Sequence, residues 1–223
     1  MIYFLSLATF CLITNLNEMK LSLLTFLVAL VPLALIILAE DIKQCVPFHL
    51  RLIAQFITAS LLVLWVPSHL PTIDIPLISQ LFEVEAFRAG FFILCLMGLM
   101  NGMNFIDGSN GLMLATLFSG LANLLFLSII SHDYLFTSLV LVNLLLIITA
   151  SCFNYPLGKI FSGDFGAYLY GCIIGFLTIN FYANHPEFTS WSALLILFYP
   201  TAELLYSVTR KIANGMSPFE PDR

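Results

Sequence analysis

Two short polar stretches interrupt an otherwise apolar chain, and each contains one carboxylate that the flanking apolar runs would bury. Residues 101–111 contain Asp107, and residues 153–166 contain Asp164. A charged side chain at the centre of a bilayer costs at least about 2.5–3.5 kcal/mol, so such residues usually mark a functional site. Neither stretch contains histidine or cysteine, and carboxylate and amide oxygens are the ligands that Mg²⁺ prefers. The two stretches therefore indicate metal-assisted phosphoryl transfer at a membrane face.

The first polar stretch places three side chains on one side of a helix end. Asn101, Asn104 and Asp107 are spaced three residues apart, which aligns them on one helical face. Gly108 and Gly111 then allow a sharp turn and a close approach of a ligand to the backbone. A plain turn would explain the Asp-Gly and Asn-Gly pairs. It would not explain two further asparagines within the preceding apolar run, so we favour a binding site.

The second polar stretch contains an amide, a cation and a carboxylate between two apolar runs. These are Asn154, Lys159 and Asp164. Each residue alone is ordinary in a loop, and an ordinary loop remains the alternative. The combination of Lys159 with Asp164 suits a phosphate and its metal ion.

Two further charged segments follow apolar runs. Glu40-Asp41-Ile42-Lys43 is either a charge cluster at the membrane interface or a carboxylate pair facing a cation or a phosphate acid. The tail Arg210–Arg223 begins with basic residues, which after a last span usually signal only topology. Its Ser-Pro-Phe-x-Pro-Asp-Arg string is more unusual than that role requires.

The composition is that of an integral membrane protein. Hydrophobic residues make up 60% of the 223 residues, charged residues 9%, and the mean hydropathy is +1.00. The net charge of −5 and the lack of a basic run argue against nucleic acid as a partner. The five cysteines and four histidines are scattered, which argues against a zinc site.

The apolar runs predict an all-α, polytopic transmembrane helical bundle of about eight spans, forming a single integral membrane domain over residues 1–223. The first run is short for a span, and the others are long enough to cross the hydrocarbon core. The predicted spans are residues 2–14, 21–39, 49–66, 88–105, 111–130, 135–152, 166–183 and 189–208.

The basic residues predict which side of the membrane each loop faces. With eight spans, most of them lie in or beside one set of loops, and the positive-inside rule makes that set cytoplasmic. All four charged segments fall on this face, as a single active site requires. A transporter is less favoured, because its polar residues would gather near the bilayer midplane. The cytoplasmic set contains Lys43, Arg51, Lys159, Arg210, Lys211 and Arg223, and the opposite set contains Lys20 and Arg88.

Four motifs, in order along the chain, resemble those of the polyprenyl-phosphate N-acetylhexosamine-1-phosphate transferases. Asn101–Gly111 is similar to N-x-x-N-x-x-D-G-x-[DN]-G, and Phe153–Gly166 is similar to F-N-x-P-x-x-K-[IV]-F-x-G-D-x-G. Glu40–Lys43, followed by Arg51-Leu52 and Gln55, is similar to the family's D-D-x-[KR] segment and the helix after it. Arg210–Arg223 resembles R-[RK]-x-x-x-G-x-S-P-F-x-P-D-R. Together the motifs cover essentially the whole chain.

The resemblance implies a reaction and its partners. A UDP-N-acetylhexosamine would give its sugar-1-phosphate to undecaprenyl phosphate, and UMP would leave. The product would be the first lipid-linked sugar of a lipopolysaccharide O-antigen, a capsule or a related envelope glycan. The implied location is the bacterial inner membrane, with membrane lipids around a multi-pass protein. The oligomeric state is left open, a homodimer included.

The resemblance also implies roles for particular residues. Asp164 would be the principal Mg²⁺ ligand, with Mn²⁺ as an alternative ion. The catalytic carboxylates would be Asp41 with Glu40, near the lipid phosphate and in reach of a general-base role, and Asp107, near the metal or the nucleotide. The residues implied for substrate binding are Asn101, Asn104, Asn154, Lys159 and Arg210.

The chain departs from the family's pattern at three places. Glu40 stands where the family usually has the first aspartate of a pair. Asn110 stands where many members have an aspartate after the one that corresponds to Asp107. The family also has an initial span before the first motif, and a histidine-rich segment with further spans after the last. We therefore expect little or no transferase activity from this chain alone. The rival hypothesis is a catalytically inactive remnant that acts as a membrane interaction protein.

Overall fold

The regular secondary structure is helical throughout the part of the chain that the computed structural model describes, which confirms the all-α class. The described residues are 26–43, 46–65, 70–73, 79–108, 111–156 and 162–216. The helices are α1 (Val31–Lys43), α2 (Phe48–Trp65), α3 (Ser79–Glu83), α4 (Glu85–Ile106), α5 (Leu112–Ile130), α6 (Tyr134–Asn154), α7 (Gly163–Asn184), α8 (Ser190–Ile196) and α9 (Phe198–Ala213).

Helices long and apolar enough to cross a bilayer identify a multi-pass membrane protein. Among the described residues there are four, α4 to α7, and a fifth if α8 and α9 count as one broken span. The apolar helices Phe26–Glu40 and Phe48–Leu64 are shorter. The predicted count of about eight spans is therefore not confirmed. The first predicted span, residues 2–14, lies outside the described part of the chain.

Helix α7 is the centre of the bundle and packs most closely against α4. In lipid there is no hydrophobic force between helices, so close contact depends on small residues that let backbones approach. Gly171 and Gly175 provide this on α7. A Cβ atom at Gly171 would lie 2.7 Å from the Leu99 carbonyl oxygen, and one at Gly175 would lie 2.7 Å from Leu96 Cδ2. These two glycines therefore allow the backbones of α4 and α7 to pack closely against each other.

Two glycines shape the helix starts at one end of the bundle. Gly111 (φ +79°) precedes α5, and Gly163 (φ +61°) begins α7. Both φ angles lie in the left-handed region, where glycine adopts the backbone without steric cost. Each glycine thereby sets the direction in which the helix after it begins. The ends of α1 and α4 and the starts of α2 and α7 meet there, and we name this the carboxylate end because it contains Glu40, Asp107 and Asp164.

The last apolar run is broken, so the prediction of one span over residues 189–208 is not confirmed. Helices α8 and α9 meet at Leu197 and differ in direction by 72°. Pro200 explains the break, because a continuous helix would need its missing N–H and would place its ring against the Ile196 carbonyl. In the first turn of α9 neither problem arises. Helix α9 instead crosses α4, where Gly102 has no side chain to obstruct the Pro200 backbone.

Candidate active site

The carboxylate end brings together side chains from three of the four sequence motifs. Glu40 comes from the end of α1, Asp107 caps the end of α4, and Asp164 lies in the first turn of α7. A carboxylate in the first turn of a helix is stabilised by the positive end of the helix dipole. The sequence predicted that these three residues share one face, and the fold places them at one end.

Arg51, at the end of the first turn of α2, connects two of these carboxylates. Its Nη1 donates to Glu40 Oε1 at 2.9 Å and to Asp164 Oδ2 at 3.3 Å. The guanidinium also lies over the Phe48 ring, 5.7 Å from its centroid. Arg51 therefore ties α1 and α2 to the start of α7.

Asp107 and Asp164 form a second pair, of like charge. Burial raises the pKa of Asp107 to about 6, and the negative charge of Asp164 adds to the increase. A hydrogen bond from the Gly163 backbone N–H acts in the opposite direction, and it ties the end of α4 to the start of α7. A cation bound between these two carboxylates would offset their repulsion and favour the ionised form of Asp107. The pair is therefore a candidate cation site.

The donor set fits Mg²⁺ better than a softer metal. Among the described residues no three His, Cys, Asp or Glu side chains lie together as a metal cage. Mg²⁺ does not need one, because it usually takes one or two protein carboxylates and completes its shell with water and substrate phosphates. Asp107 and Asp164 supply hard oxygen ligands of that kind, and side-chain exposure of 43% leaves Asp164 open to a substrate.

The two asparagines of α4 have partners on different helices. Asn101 Nδ2 donates to Gln55 Oε1 at 2.8 Å, and Gln55, 1% exposed, donates back at 3.5 Å. Asn101 thereby joins α4 to α2. One turn later, Asn104 Nδ2 donates to the buried Tyr168 hydroxyl at 3.2 Å. Asn104 lies one turn nearer to Asp107 along α4 and joins α4 to α7, whereas Asn101 joins α4 to α2.

Asn154 holds Gly111, the residue before α5. Its buried Oδ1 accepts the Gly111 backbone N–H at 2.7 Å. A left-handed residue at a helix start leaves its N–H to be satisfied from outside the helix, and this amide does so. The end of α6 is therefore tied to the start of α5.

Comparison with known proteins identifies the family. Residues 2–182 match the sequence profile of glycosyl transferase family 4. The chain belongs to this family. The matched region contains Glu40, Asp107 and Asp164, the residues that the fold gathers at the carboxylate end.

Three curated relatives share the family. A Bacillus subtilis protein described as a probable undecaprenyl-phosphate N-acetylglucosaminyl 1-phosphate transferase is 26% identical over 151 residues, 67% of this chain and 42% of the relative. A Thermotoga maritima undecaprenyl-phosphate alpha-N-acetylglucosaminyl 1-phosphate transferase is 28% identical, over 63% of this chain and 43% of the relative. A Mycobacterium leprae decaprenyl-phosphate N-acetylglucosaminephosphotransferase is 29% identical, over 56% and 36%. The chain spans less than half the length of these relatives.

The other residues predicted for the family 4 site either lie away from the carboxylates or fall outside the part of the chain that the structure describes. Lys159 is outside the described residues, and for Asp41 only the helical backbone is described. Arg210 is exposed on α9, whereas its neighbour Lys211 is 2% exposed and has its Nζ 5.2 Å from the centre of the Phe105 ring. Helix α9 thus directs Lys211, not Arg210, toward the end of α4.

Three side chains at or beside the site were not assigned roles from the sequence: Arg51, Tyr168 and Lys211. Helical spacing contained a signal for two of them. Tyr168 follows Asp164 by four residues and so shares its face of α7. Lys211 lies on one stripe with the buried Pro200 and Ser207. The ion pairs of Arg51 depend on how α1, α2 and α7 assemble, which spacing along one helix does not reveal.

The Asp107 environment leads to a prediction about stability. Because the pKa of the folded state is raised, to about 6 from 3.8, ionisation opposes folding. The contribution of Asp107 is most favourable below about pH 4 and is lost as the pH rises through about 6. We expect Asp107→Asn, assayed without divalent cations, to raise the thermal midpoint in detergent at pH 7 and to flatten its fall between pH 4 and 7. An unchanged pH profile of the midpoint would contradict a buried, like-charged carboxylate at this position.

Proposed function

We propose that this family 4 chain transfers N-acetylhexosamine-1-phosphate from a UDP-sugar to undecaprenyl phosphate. The observation that carries the proposal is the meeting of Asp107 and Asp164, from two separate motifs, at one end of a membrane bundle beside Arg51. Such an end combines hard metal ligands with a cation at the ends of apolar helices, where the phosphate of a membrane lipid would lie. The relatives' names, which contain a polyprenyl phosphate and N-acetylglucosaminyl 1-phosphate, support the same substrate classes.

Asp164 and Asp107 are the residues that would hold Mg²⁺. When bound, the ion supplies positive charge that offsets the charge of the diphosphate and polarises the reacting phosphorus. Positioning and charge neutralisation can carry most of a phosphoryl transfer, with little covalent chemistry by the protein. The open side of Asp164 is where the diphosphate would enter.

In the proposed reaction, an oxygen of the lipid phosphate forms a bond to the phosphorus that carries the sugar. The bond from that phosphorus to the bridging oxygen breaks, and UMP leaves with that oxygen. A lipid phosphate dianion needs no base, because the second pKa of a phosphate monoester is about 6. Glu40, held by Arg51, and Asp41 beside it would orient this phosphate and accept its proton when it arrives as the monoanion.

The remaining assigned residues would act on the nucleotide sugar or on the framework. Asn104, bonded to Tyr168, is placed to meet a substrate beside the carboxylates. Asn101 and Asn154 would act indirectly, by holding a helix and a loop. We propose Lys159 as a further contact of the diphosphate, because it is positively charged and belongs to the same motif as Asp164.

We further propose that the carboxylate end faces the cytoplasm at a bacterial inner membrane, and that the product initiates a lipid-linked envelope glycan. The excess of basic residues on the predicted cytoplasmic side supports this orientation. UDP-sugars are cytoplasmic substrates, so the same orientation gives the donor direct access.

The test is UMP release from membranes that contain the chain, supplied with undecaprenyl phosphate, Mg²⁺ and UDP-N-acetylglucosamine or UDP-N-acetylgalactosamine. The proposal requires UMP release with an N-acetylhexosamine donor, contrary to the expectation of little or no activity from the chain alone. It also requires at least about tenfold less release with UDP-glucose, because the polar groups that would bind the acetamido group are then left unpaired. Membranes without the chain provide the background. No release above it with any donor would favour the inactive remnant over the transferase.

A further inference from the structure

Arg51 is unusual among the charged residues of the carboxylate end because it forms ion pairs with two carboxylates at once. A single nitrogen, Nη1, makes both recorded contacts, with Glu40 at 2.9 Å and Asp164 at 3.3 Å. The side chains of Arg51 and Glu40 are about equally exposed, at 22% and 20%, and that of Asp164 is more exposed, at 43%. The longer contact is therefore also the one that solvent and solutes reach.

The geometry of this contact makes it exchangeable. Arginine binds a carboxylate most strongly through two parallel N–H bonds, and Arg51 does not use that arrangement with Asp164. Its buried Nε has no hydrogen-bond partner in the described part of the chain. The guanidinium therefore keeps a hydrogen-bond donor that the two carboxylates do not use, and an incoming acceptor would reach it if the side chain turned. The cation–π contact with the Phe48 ring would keep the guanidinium near the site while its acceptors exchange.

A divalent cation would have to share Asp164 with this guanidinium. A cation bound by Asp164 and Asp107 would lie within a few ångströms of Arg51, and like charges at that separation repel strongly when partly shielded from water. A diphosphate removes the conflict, because its oxygens accept from both the metal ion and the arginine. The empty site and the substrate-loaded site then need different partners for the same side chain.

We propose that Arg51 is an internal counter-ion that lowers the affinity of the empty site for its divalent cation and that transfers to the diphosphate when the nucleotide sugar binds. The proposal rests on the proposed function for the identity of the anion. In the empty site Arg51 holds Asp164 in place. In the loaded site it binds the diphosphate, and the cation gains Asp164 without competition. Cation and nucleotide therefore bind cooperatively, and by linkage each raises the affinity of the other by the same factor.

The proposal is tested by cation binding, without turnover. Mn²⁺ binding to the purified chain in detergent is measured by electron paramagnetic resonance, with and without UDP. We expect Arg51→Gln to bind Mn²⁺ about tenfold more tightly than the wild type in the absence of UDP, a change of about 1.4 kcal/mol. Arg51→Lys, which keeps the charge, should stay within about twofold. Saturating UDP should tighten Mn²⁺ binding to the wild type by about tenfold or more and should have much less effect on Arg51→Gln.

Arg88→Gln is the matched control. Arg88 lies at the opposite end of α4 from Asp107, and its Nε, like that of Arg51, is buried without a recorded partner among the described residues. Its replacement removes one positive charge and should leave Mn²⁺ affinity unchanged. A damaged fold would weaken binding, so a gain in affinity confined to Arg51→Gln is not explained by misfolding.

The outcomes separate the inference from the proposed function. Equal or weaker Mn²⁺ binding by Arg51→Gln, in a chain whose wild type binds Mn²⁺, overturns the counter-ion and leaves the transferase in place. An equal gain in Arg51→Lys overturns it too, because the charge would then not be the cause. If the wild type binds no Mn²⁺ with or without UDP and releases no UMP, the proposed function falls and the inference falls with it.

Discussion

Asp164→Asn should abolish Mg²⁺-dependent UMP release while the chain still inserts into membranes. Asparagine keeps the shape and one oxygen of the side chain but loses the charge that would hold the cation. Removing one preorganised electrostatic partner of a transition state typically costs 100- to 1,000-fold in rate. Asp164 would be both a metal ligand and a partner of Arg51, so we expect a loss of at least about 100-fold. The measurement is UMP release at saturating Mg²⁺, with the amount of inserted chain quantified in the same membranes.

Asp133→Asn is the matched control for this loss. Asp133 caps the start of α6, accepting the Phe136 N–H at 2.9 Å, and it contacts His185 Nε2 at 3.2 Å, at the end of the bundle opposite the carboxylates. Asparagine is as good a helix cap as aspartate. The same chemical change there should leave UMP release within about twofold. Near-normal Mg²⁺-dependent release from Asp164→Asn would instead assign the metal to Asp107 or Asp41.

Much of the fold could be predicted because the bilayer imposes it. Apolar runs near 20 residues must become helices, since lipid offers no partner for the backbone groups of any open strand. The predicted runs 111–130 and 135–152 correspond to α5 and α6 within about two residues. The convergence of Glu40, Asp107 and Asp164 follows from the same rule. Alternating spans return the ends of α1 and α4 and the start of α7 to one side.

The rest depends on tertiary contacts that hydropathy does not contain. The break at Leu197 falls inside a run that is apolar throughout, and Pro200 alone does not distinguish a kinked span from a change in direction. Arg210 and Lys211 are equivalent as sequence signals. Their difference in burial depends on the angle at which α9 crosses α4, and that angle depends on the contact of Pro200 with Gly102.

Gly171→Ala should damage the site from inside the membrane, although it changes no polar side chain. The added Cβ would lie 2.7 Å from the Leu99 carbonyl oxygen and 2.8 Å from Met100 Cα, both of them backbone atoms of α4. A backbone contact of this kind is not relieved by turning a side chain, so α4 and α7 must move apart. Overpacking in a well-packed interior typically costs about 1–3 kcal/mol. We expect a lower thermal midpoint in detergent.

The same substitution should lower the rate by more than its effect on stability suggests. Asp107 follows Met100 by seven residues and Asp164 precedes Gly171 by seven, so each carboxylate lies about two turns from the contact. Separating the helices at this point moves the two carboxylates apart at the site. A misplacement of about 1 Å can cost on the order of 100-fold in this kind of catalysis. UMP release per folded chain should therefore fall by about 10- to 100-fold, and Mn²⁺ binding should weaken with it.

Gly90→Ala separates this effect from the ordinary consequences of replacing a glycine in a helix. Gly90 is in α4, and a Cβ atom there would meet nothing within 4 Å. An alanine in place of a helical glycine is favourable by roughly 0.5–1 kcal/mol, so this variant should be equal to the wild type or more stable, with unchanged UMP release. The two glycine variants thus have opposite expected signs. If Gly171→Ala behaved like Gly90→Ala, α4 and α7 would not be in backbone contact at Leu99 and Met100, and the pairing of Asp107 with Asp164 would lose its structural basis.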